Sequence, residues 1–422
     1  MLTARVVPRA LSARVTVALG AIALAALLLP ALAVALPKPA VLTFTVAKIG
    51  APGNPSVGVV PFEDELFKNC GEAPSSPKKP CMEVGGVGYR YGIGKFEVTV
   101  DQYVDFLNTA DPKGKNKRKL YSTTESSTAW PRFGQIDFAA KAGSGHHYLV
   151  ASPAWADKPY GFANFLRSAR FANSLFNGKV LSRKESSAGT FKFSTYRVRL
   201  SRRTETGMYE MRNPKTTRQA KAGFVIPSQN EWIKAAYFDP NGGGTYSYWK
   251  YPTNPGEFGK KMADGPVQAQ LDPTTGDVVN ASSQPLSIFR AGGETPAPYW
   301  CPAGLSTEAC TATNPFGLDP ETYKAAFAGS LGTVGQALTP SPWGTLDQGG
   351  NAVEWTDTIT PPPFGVKGVR VWRRLHGGIS NAPNYQLWIS AVGLQPQDNA
   401  FFTATYPWLG IRIGVIGNLK PS

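Results

Sequence analysis

Glycine and proline punctuate this chain so densely that long helices have little room to form. The 422 residues include 44 Gly and 36 Pro, about a fifth of the chain and above ordinary usage. Each interior Gly costs a helix about 1 kcal/mol relative to Ala, and each interior Pro about 3 kcal/mol. A helical bundle is therefore excluded, and short strands joined by long loops are expected. The chain can still bury a core, because 42% of it is hydrophobic and only 17% is charged. It is not disordered by charge, and its 10 Trp and 16 Tyr suit a core lying under long loops. Three His and four Cys exclude histidine-rich metal cages and thiol-rich clusters. No HExxH, CxxC, Walker loop or GxSxG occurs, which removes the main support for several common enzyme classes.

The N-terminus has the form of an export signal. Arg5, Arg9 and Arg14 precede an uncharged, mostly apolar stretch from Val15 to Ala35, broken at Pro30. Ala33-Val34-Ala35 is a small-x-small cleavage site, so residues 1–35 read as a signal peptide and the mature chain starts near Leu36. An uncleaved N-terminal membrane anchor is the alternative, since the stretch is about long enough to span. No Cys follows it for lipidation, and no later segment approaches a membrane span. A secreted or periplasmic location is expected.

The formal net charge is +15; the leader carries three Arg and no acid, so cleavage leaves +12. A basic exported protein can meet acidic polymers or anionic surfaces. The clearest basic run is Lys113-Gly-Lys115-Asn-Lys117-Arg118-Lys119. It holds no aromatic for base stacking, so nucleic acid is not an expected partner, and it reads as a solvated loop. Arg197, Arg199, Arg202 and Arg203 lie on a strand-like stretch and read the same way.

The cysteines fall as two local pairs, Cys70/Cys81 and Cys301/Cys310, each in a Pro-rich segment without periodicity. In an oxidising compartment the local disulfides 70–81 and 301–310 are the simplest of three connectivities. A reactive thiol pair is the other reading, but neither pair has a His close in sequence to lower a thiol pKa.

Hydrophobic periodicity marks few elements. Val41 to Ile49 alternates as a strand, and Tyr89 to Glu97 reads as another. Thr99 with Gln102 forms a capping box for a helix over 99–108. A second helix covers about 164–176, with Phe165, Ala169, Ala172 and Phe176 on one face and Asn177-Gly178 at its end. A third follows Pro227, capped by Ser228 and Glu231, with Trp232, Ala235 and Ala236 facing inward. Beyond residue 242 only Pro320–Ala328 is a helix candidate. No internal repeat or linker divides the chain, so one domain over about 38–418 is expected.

Several blocks carry a resemblance. Tyr91-Gly-Ile-Gly-Lys-Phe-Glu-Val-Thr99 with Gln102-Tyr103 and Phe106-Leu107 resembles the opening strand and helix of formylglycine-generating enzyme (sulfatase-modifying factor) domains. Ala169-Arg-Phe-Ala-Asn173, Pro227-Ser-Gln-Asn-Glu231-Trp232-Ile-Lys-Ala235-Ala236 and Trp249-Lys-Tyr251-Pro252 resemble later blocks. Trp343-Gly-Thr-Leu-Asp347-Gln-Gly-Gly350-Asn351-Ala-Val-Glu354-Trp355 resembles the Gly-Asn-x-x-Glu-Trp block. Arg374-Leu-His-Gly377-Gly378 and Gly410-Ile-Arg412-Ile fit the closing blocks. They stand in family order from about 41 to 416. The resemblance implies an α+β fold, the sulfatase-modifying-factor variant of the C-type-lectin-like fold, with little regular structure and many long loops.

The family's chemistry carries over less well. Its oxidases use two cysteines shortly after the Gly-Gly block to hold copper(I) and oxidise a substrate cysteine, and soft thiolates suit that ion. Here Ala382 and Leu387 occupy the aligned places, so copper and formylglycine generation are not expected. A related branch resembling ergothioneine-type synthases carries non-haem iron on histidines of an additional helical domain. This chain has no such domain, and its only histidines are His146, His147 and His376.

The resemblance also implies a structural calcium site at Asp347, Gly350, Ala352 and Glu354, where two carboxylates and two backbone carbonyls supply hard oxygens. A loop held only by hydrogen bonds from Asn351 and Glu354 is the other reading. The family's surface pocket would fall on His376, Ser380, Asn381, Asn384, Tyr385 and Trp388, with Trp408 beside them. Amides and aromatics there suit a protein, peptide or glycan ligand, although each Trp serves equally well as core. The expected function is an exported binding or accessory protein on a lectin-like scaffold. An enzyme of divergent chemistry built on His376, Arg373, Arg374 and Asp398 is the alternative, and a basic adhesin for acidic polymers a third.

Overall fold

The strand expected at Val41–Ile49 forms with those bounds and becomes the spine of a six-stranded sheet. In this computed structural model the described residues are 37–75, 80–122, 125–126, 134–213, 215–259, 265–272, 275–280, 285–289, 331–362, 371–378, 380, 384–391, 393–397 and 408–421. Across the sheet the strands run Gly223–Val225, Gly414–Ile416, Tyr91–Gly94, Val41–Ile49, Phe191–Arg199 and Lys179–Ala188. Every neighbouring pair is antiparallel. Tyr91–Gly94 is therefore bonded on one side to the first strand and on the other to the last, and the ends of the fold meet in one sheet.

Along Val41–Ile49 the buried side chains are Leu42, Phe44 and Val46, then Ala47 and Ile49. The two-residue alternation slips between Val46 and Ala47, so the strand feeds two cores. Leu42, Phe44 and Val46 pack with the helices α1 (Val100–Ala110) and α2 (Phe165–Phe176). Ala47 and Ile49 pack with Trp232, Ile233, Ala235 and Ala236 of α3 (Gln229–Tyr237).

The helices begin where the local chemistry requires. Thr99 and Gln102 form a reciprocal capping box at α1, and Ser228 and Glu231 do the same at α3. Each box satisfies two backbone N–H groups that the helix itself cannot. Asn164 caps α2, whose last turn closes at Asn177. On α2 the buried row continues through Phe171 and Leu175, while Phe176 is only partly buried.

A second, four-stranded sheet orders Gly393–Pro396, Trp372–His376, Val353–Thr360 and Leu409–Gly410. Its last pair is parallel and the other two are antiparallel. The whole is α+β, mostly sheet and loop with three α-helices among the described residues. Cys70 is joined to Cys81, with Cα atoms 5.5 Å apart. Cys301, Cys310 and the helix candidate Pro320–Ala328 lie outside the described residues. No helix among the described residues is long and apolar enough to cross a membrane.

Candidate functional site

The second sheet brings the Gly-Asn-Ala-Val-Glu-Trp block against the Gly377-Gly378 block. Glu354 and His376 are register partners in its antiparallel pair. The loop before Glu354 is held by its backbone: Gly350 N–H donates to the Gly377 carbonyl at 2.6 Å, and Ser380 N–H to the Asn351 carbonyl at 3.0 Å. Gly350 is required here. Its φ is +91°, and a Cβ would lie 1.9 Å from the Ile288 carbonyl oxygen. Asp347 and Asn351 also adopt left-handed φ, 58° and 60°, which Asp and Asn tolerate better than most residues.

At the floor of this loop lies a buried charge cluster. Glu354 and Arg412 are both fully buried. Arg412 Nε donates to both Glu354 oxygens at 2.8 Å, and the indole N–H of Trp232 donates to Oε2 at 2.6 Å. The same guanidinium reaches the Gly94 and Leu346 carbonyls, each at 3.0 Å. Glu97 accepts from Asn351 Nδ2 and from Ala352 N–H, both at 3.2 Å. Asn351 also spans to Gly332, accepting from its N–H and donating to its carbonyl.

This cluster has more carboxylates than cations. Burial, and then the neighbouring Asp347 charge, pushes Glu97 well above the usual carboxylate range, with Arg412 opposing. Burial also raises Asp347 to about 6; the Gly335 N–H and Arg412 oppose the shift and Glu354 adds to it. Asp347 Oδ2 accepts from Gly335 N–H, while Oδ1 is buried without a hydrogen-bond partner.

The donors proposed for calcium divide on this geometry. Asn351 and Glu354 do hold the loop by hydrogen bonds, and both oxygens of Glu354 are engaged by Arg412. Asp347 keeps one anionic oxygen uncommitted. Excess negative charge and that orphaned oxygen fit a cation on the Asp347 side. Among the described residues no three His, Cys, Asp or Glu side chains converge as a metal site, so such an ion would rely on backbone carbonyls, including those of Gly350 and Ala352.

Of the residues expected to line a ligand pocket, the three whose side chains are described, His376, Ser380 and Trp388, are interior. His376 is 1% exposed and stacks on Trp232, ring centroids 5.2 Å apart. Burial first, and Arg374 second, lowers its pKa to about 3, against a hydrogen bond with the Ala391 backbone. It is therefore a neutral imidazole, and its Nε2 has no hydrogen-bond partner. Ser380 is buried beside it in sequence. Trp388 is buried with Tyr251, Phe289, Leu387 and Ala391, and donates from its indole N–H to the Tyr251 hydroxyl at 3.0 Å. Asn384 and Tyr385 belong to a 3₁₀ turn, Asn384–Leu387, but their side chains, like Asn381, Ala382 and Asp398, lie outside the described residues. Arg373 is buried, donating to the Thr216 and Asp357 carbonyls and to Gln397.

Three residues central to this floor, Glu97, Trp232 and Arg412, carried no expected role at the site. A signal existed for two of them. Glu97 lies between Phe96 and Val98, and Arg412 between Ile411 and Ile413. A lone charge flanked by apolar residues is almost never fully buried unless paired, so each called for a partner.

No protein-family model and no curated protein matches the chain. Among solved structures it is similar to Treponema denticola variable protein 1, at 15% identity and a TM-score of 0.42, over 90% of this chain and 99% of that one. It is similar over the same shares to CarF, at 14% identity and a TM-score of 0.33, and to PvdO from Pseudomonas aeruginosa, at 11% and 0.36. Likenesses this distant say nothing about activity.

Proposed function

We propose that this chain is a non-oxidase relative of the formylglycine-generating enzymes, built on their lectin-like variant fold and acting outside the cytoplasm as a binding or accessory protein. The observation that carries this reading is the packing of the block after Gly377-Gly378. Leu387, at one of the two aligned cysteine places, is fully buried, and its carbonyl accepts from the Tyr237 hydroxyl at 2.9 Å. Such a position supplies neither a soft ligand for copper(I) nor a thiol for a mixed disulfide. His376, the only histidine of the block, is buried and neutral. Calcium belongs to the proposal as a structural ion on Asp347, where it would offset the excess carboxylate charge beneath the loop. The Cys70–Cys81 disulfide is in keeping with an exported protein.

The test is direct. The mature protein, given copper(I), oxygen and a cysteine peptide of the sulfatase type, should yield no aldehyde, and metal analysis should find no stoichiometric copper or iron. Aldehyde, or bound copper, would overturn the reading.

A further inference from the structure

The two basic runs, about eighty residues apart in sequence, meet on one face. A depression of about 390 Å³ is lined by Lys113, Lys115, Lys117, Arg118 and Arg202. A second, of about 370 Å³, is lined by Lys179, Arg199, Arg202 and Arg203. Arg202 lines both, so the two depressions adjoin and together make a basic trough. The geometry points to a binding site for an acidic polysaccharide, one whose repeating carboxylates or sulfates run along this trough.

The charge there is offset from within only at Arg118. The acid in the first wall, Asp111, is turned to its own loop: it accepts from the N–H groups of Lys115 and Asn116 and from the Tyr148 hydroxyl. Glu205 nearby is held by Arg170 at 2.8 Å and reaches only Arg118, at 3.4 Å. Lys113, Lys115, Lys117, Lys179, Arg199 and Arg203 are all exposed. Like charges gathered this closely raise each other's energy, and within a Debye length of about 8 Å salt screens them only in part. A polyanion relieves that repulsion along its length, whereas a single small anion would meet two or three of the cations.

The lining decides among polyanions. It contains no aromatic residue, and single-stranded nucleic acid gains much of its affinity by stacking bases on aromatics. None of the exposed large hydrophobic side chains lines it, so nothing there would enter a lipid surface. What remains is a row of cations over a floor of Ala110, Pro112, Leu120, Pro39 and Leu200, with Asn177 and Ser201 at one end, which suits a chain of charged sugars. This inference stands apart from the oxidase question, since no residue of the trough belongs to the buried loop.

The mature protein would be titrated with heparin as the sulfated probe and polygalacturonate as the carboxylated one, at low and at high salt. Binding to at least one should weaken steeply with salt. Replacing Lys113, Lys115 and Lys117 together with Ser should weaken it at least tenfold, as should replacing Arg199 and Arg203. These side chains are exposed, so the melting temperature should not move. A control of matched charge, Lys184→Ser with Lys192→Ser and Lys221→Ser, should leave binding intact. An equal loss in the control would reduce the effect to net charge and overturn the site. So would tighter binding of single-stranded DNA or of anionic vesicles through the same residues, or no binding to either polysaccharide.

Discussion

Arg412 is the residue on which the closing loop depends. Its guanidinium satisfies Glu354 and two carbonyls from separate segments, and both charges are fully buried. Breaking a buried ion pair by removing one partner costs about 3–5 kcal/mol, because the other charge is left uncompensated. Glu354→Gln and Arg412→Met should each destabilise by that order in denaturant unfolding. The double variant should lose clearly less than the two together; strict additivity would show that the pair is not coupled. His376 yields a second expectation. Its folded pKa, near 3, lies below the ordinary 6.5. Stability from the neutral imidazole is thus complete above about pH 6.5 and is lost as pH falls toward 3, because the unfolded chain takes up the proton and the folded one does not. His376→Gln should flatten the fall in melting temperature between neutral and acid pH. An unchanged acid limb would mean that His376 is not the group responsible.

At the level of elements, the caps were readable because they close within four residues. Thr99 with Gln102 and Ser228 with Glu231 need no distant partner to start a helix. Ser228→Ala should cost about 1 kcal/mol. Glu231 should cost more, since it also pairs with Arg218 at 2.8 Å while itself 1% exposed. Equal losses at the two positions, in thermal or denaturant unfolding, would argue that Arg218 contributes nothing. The long hairpin of Lys179–Ala188 with Phe191–Arg199 was legible only as a strand-like stretch around Arg197. The whole first strand is half-exposed or exposed, so no apolar alternation marks it. Pairing with its neighbour, not patterning, holds it in the sheet.

For the molecule as a whole, calcium and pH test the same imbalance of charge. Asp347 has a folded pKa of about 6, above the ordinary 3.8. The folded state therefore holds this proton more tightly, and its ionisation costs stability as pH rises from about 4 through 6. An ion bound only by the folded protein stabilises by mass action, and it competes with that proton. Calcium should raise the melting temperature more at about pH 7.5 than at pH 5, where Asp347 still carries its proton. Asp347→Asn should abolish the rise. No rise at either pH would remove calcium from the loop and leave Arg412 as its sole cation.

Taken alone, the sequence determined the features whose interactions are local. These are the starts of α1, α2 and α3, the span of Val41–Ile49, and a loop-rich chain of short strands and few helices dictated by its glycines and prolines. A helix cap, a two-residue alternation and a φ restriction act over a few bonds, so composition and spacing reveal them. Only the tertiary structure decided that Glu354 belongs to Arg412, 58 residues away, and to Trp232, 122 residues away. It also decided that His376 and Trp388 are interior and that two basic runs share one trough. The reason is physical. Burial and charge pairing depend on which surfaces the chain brings together, and a residue's type states what it needs without saying which segment supplies it.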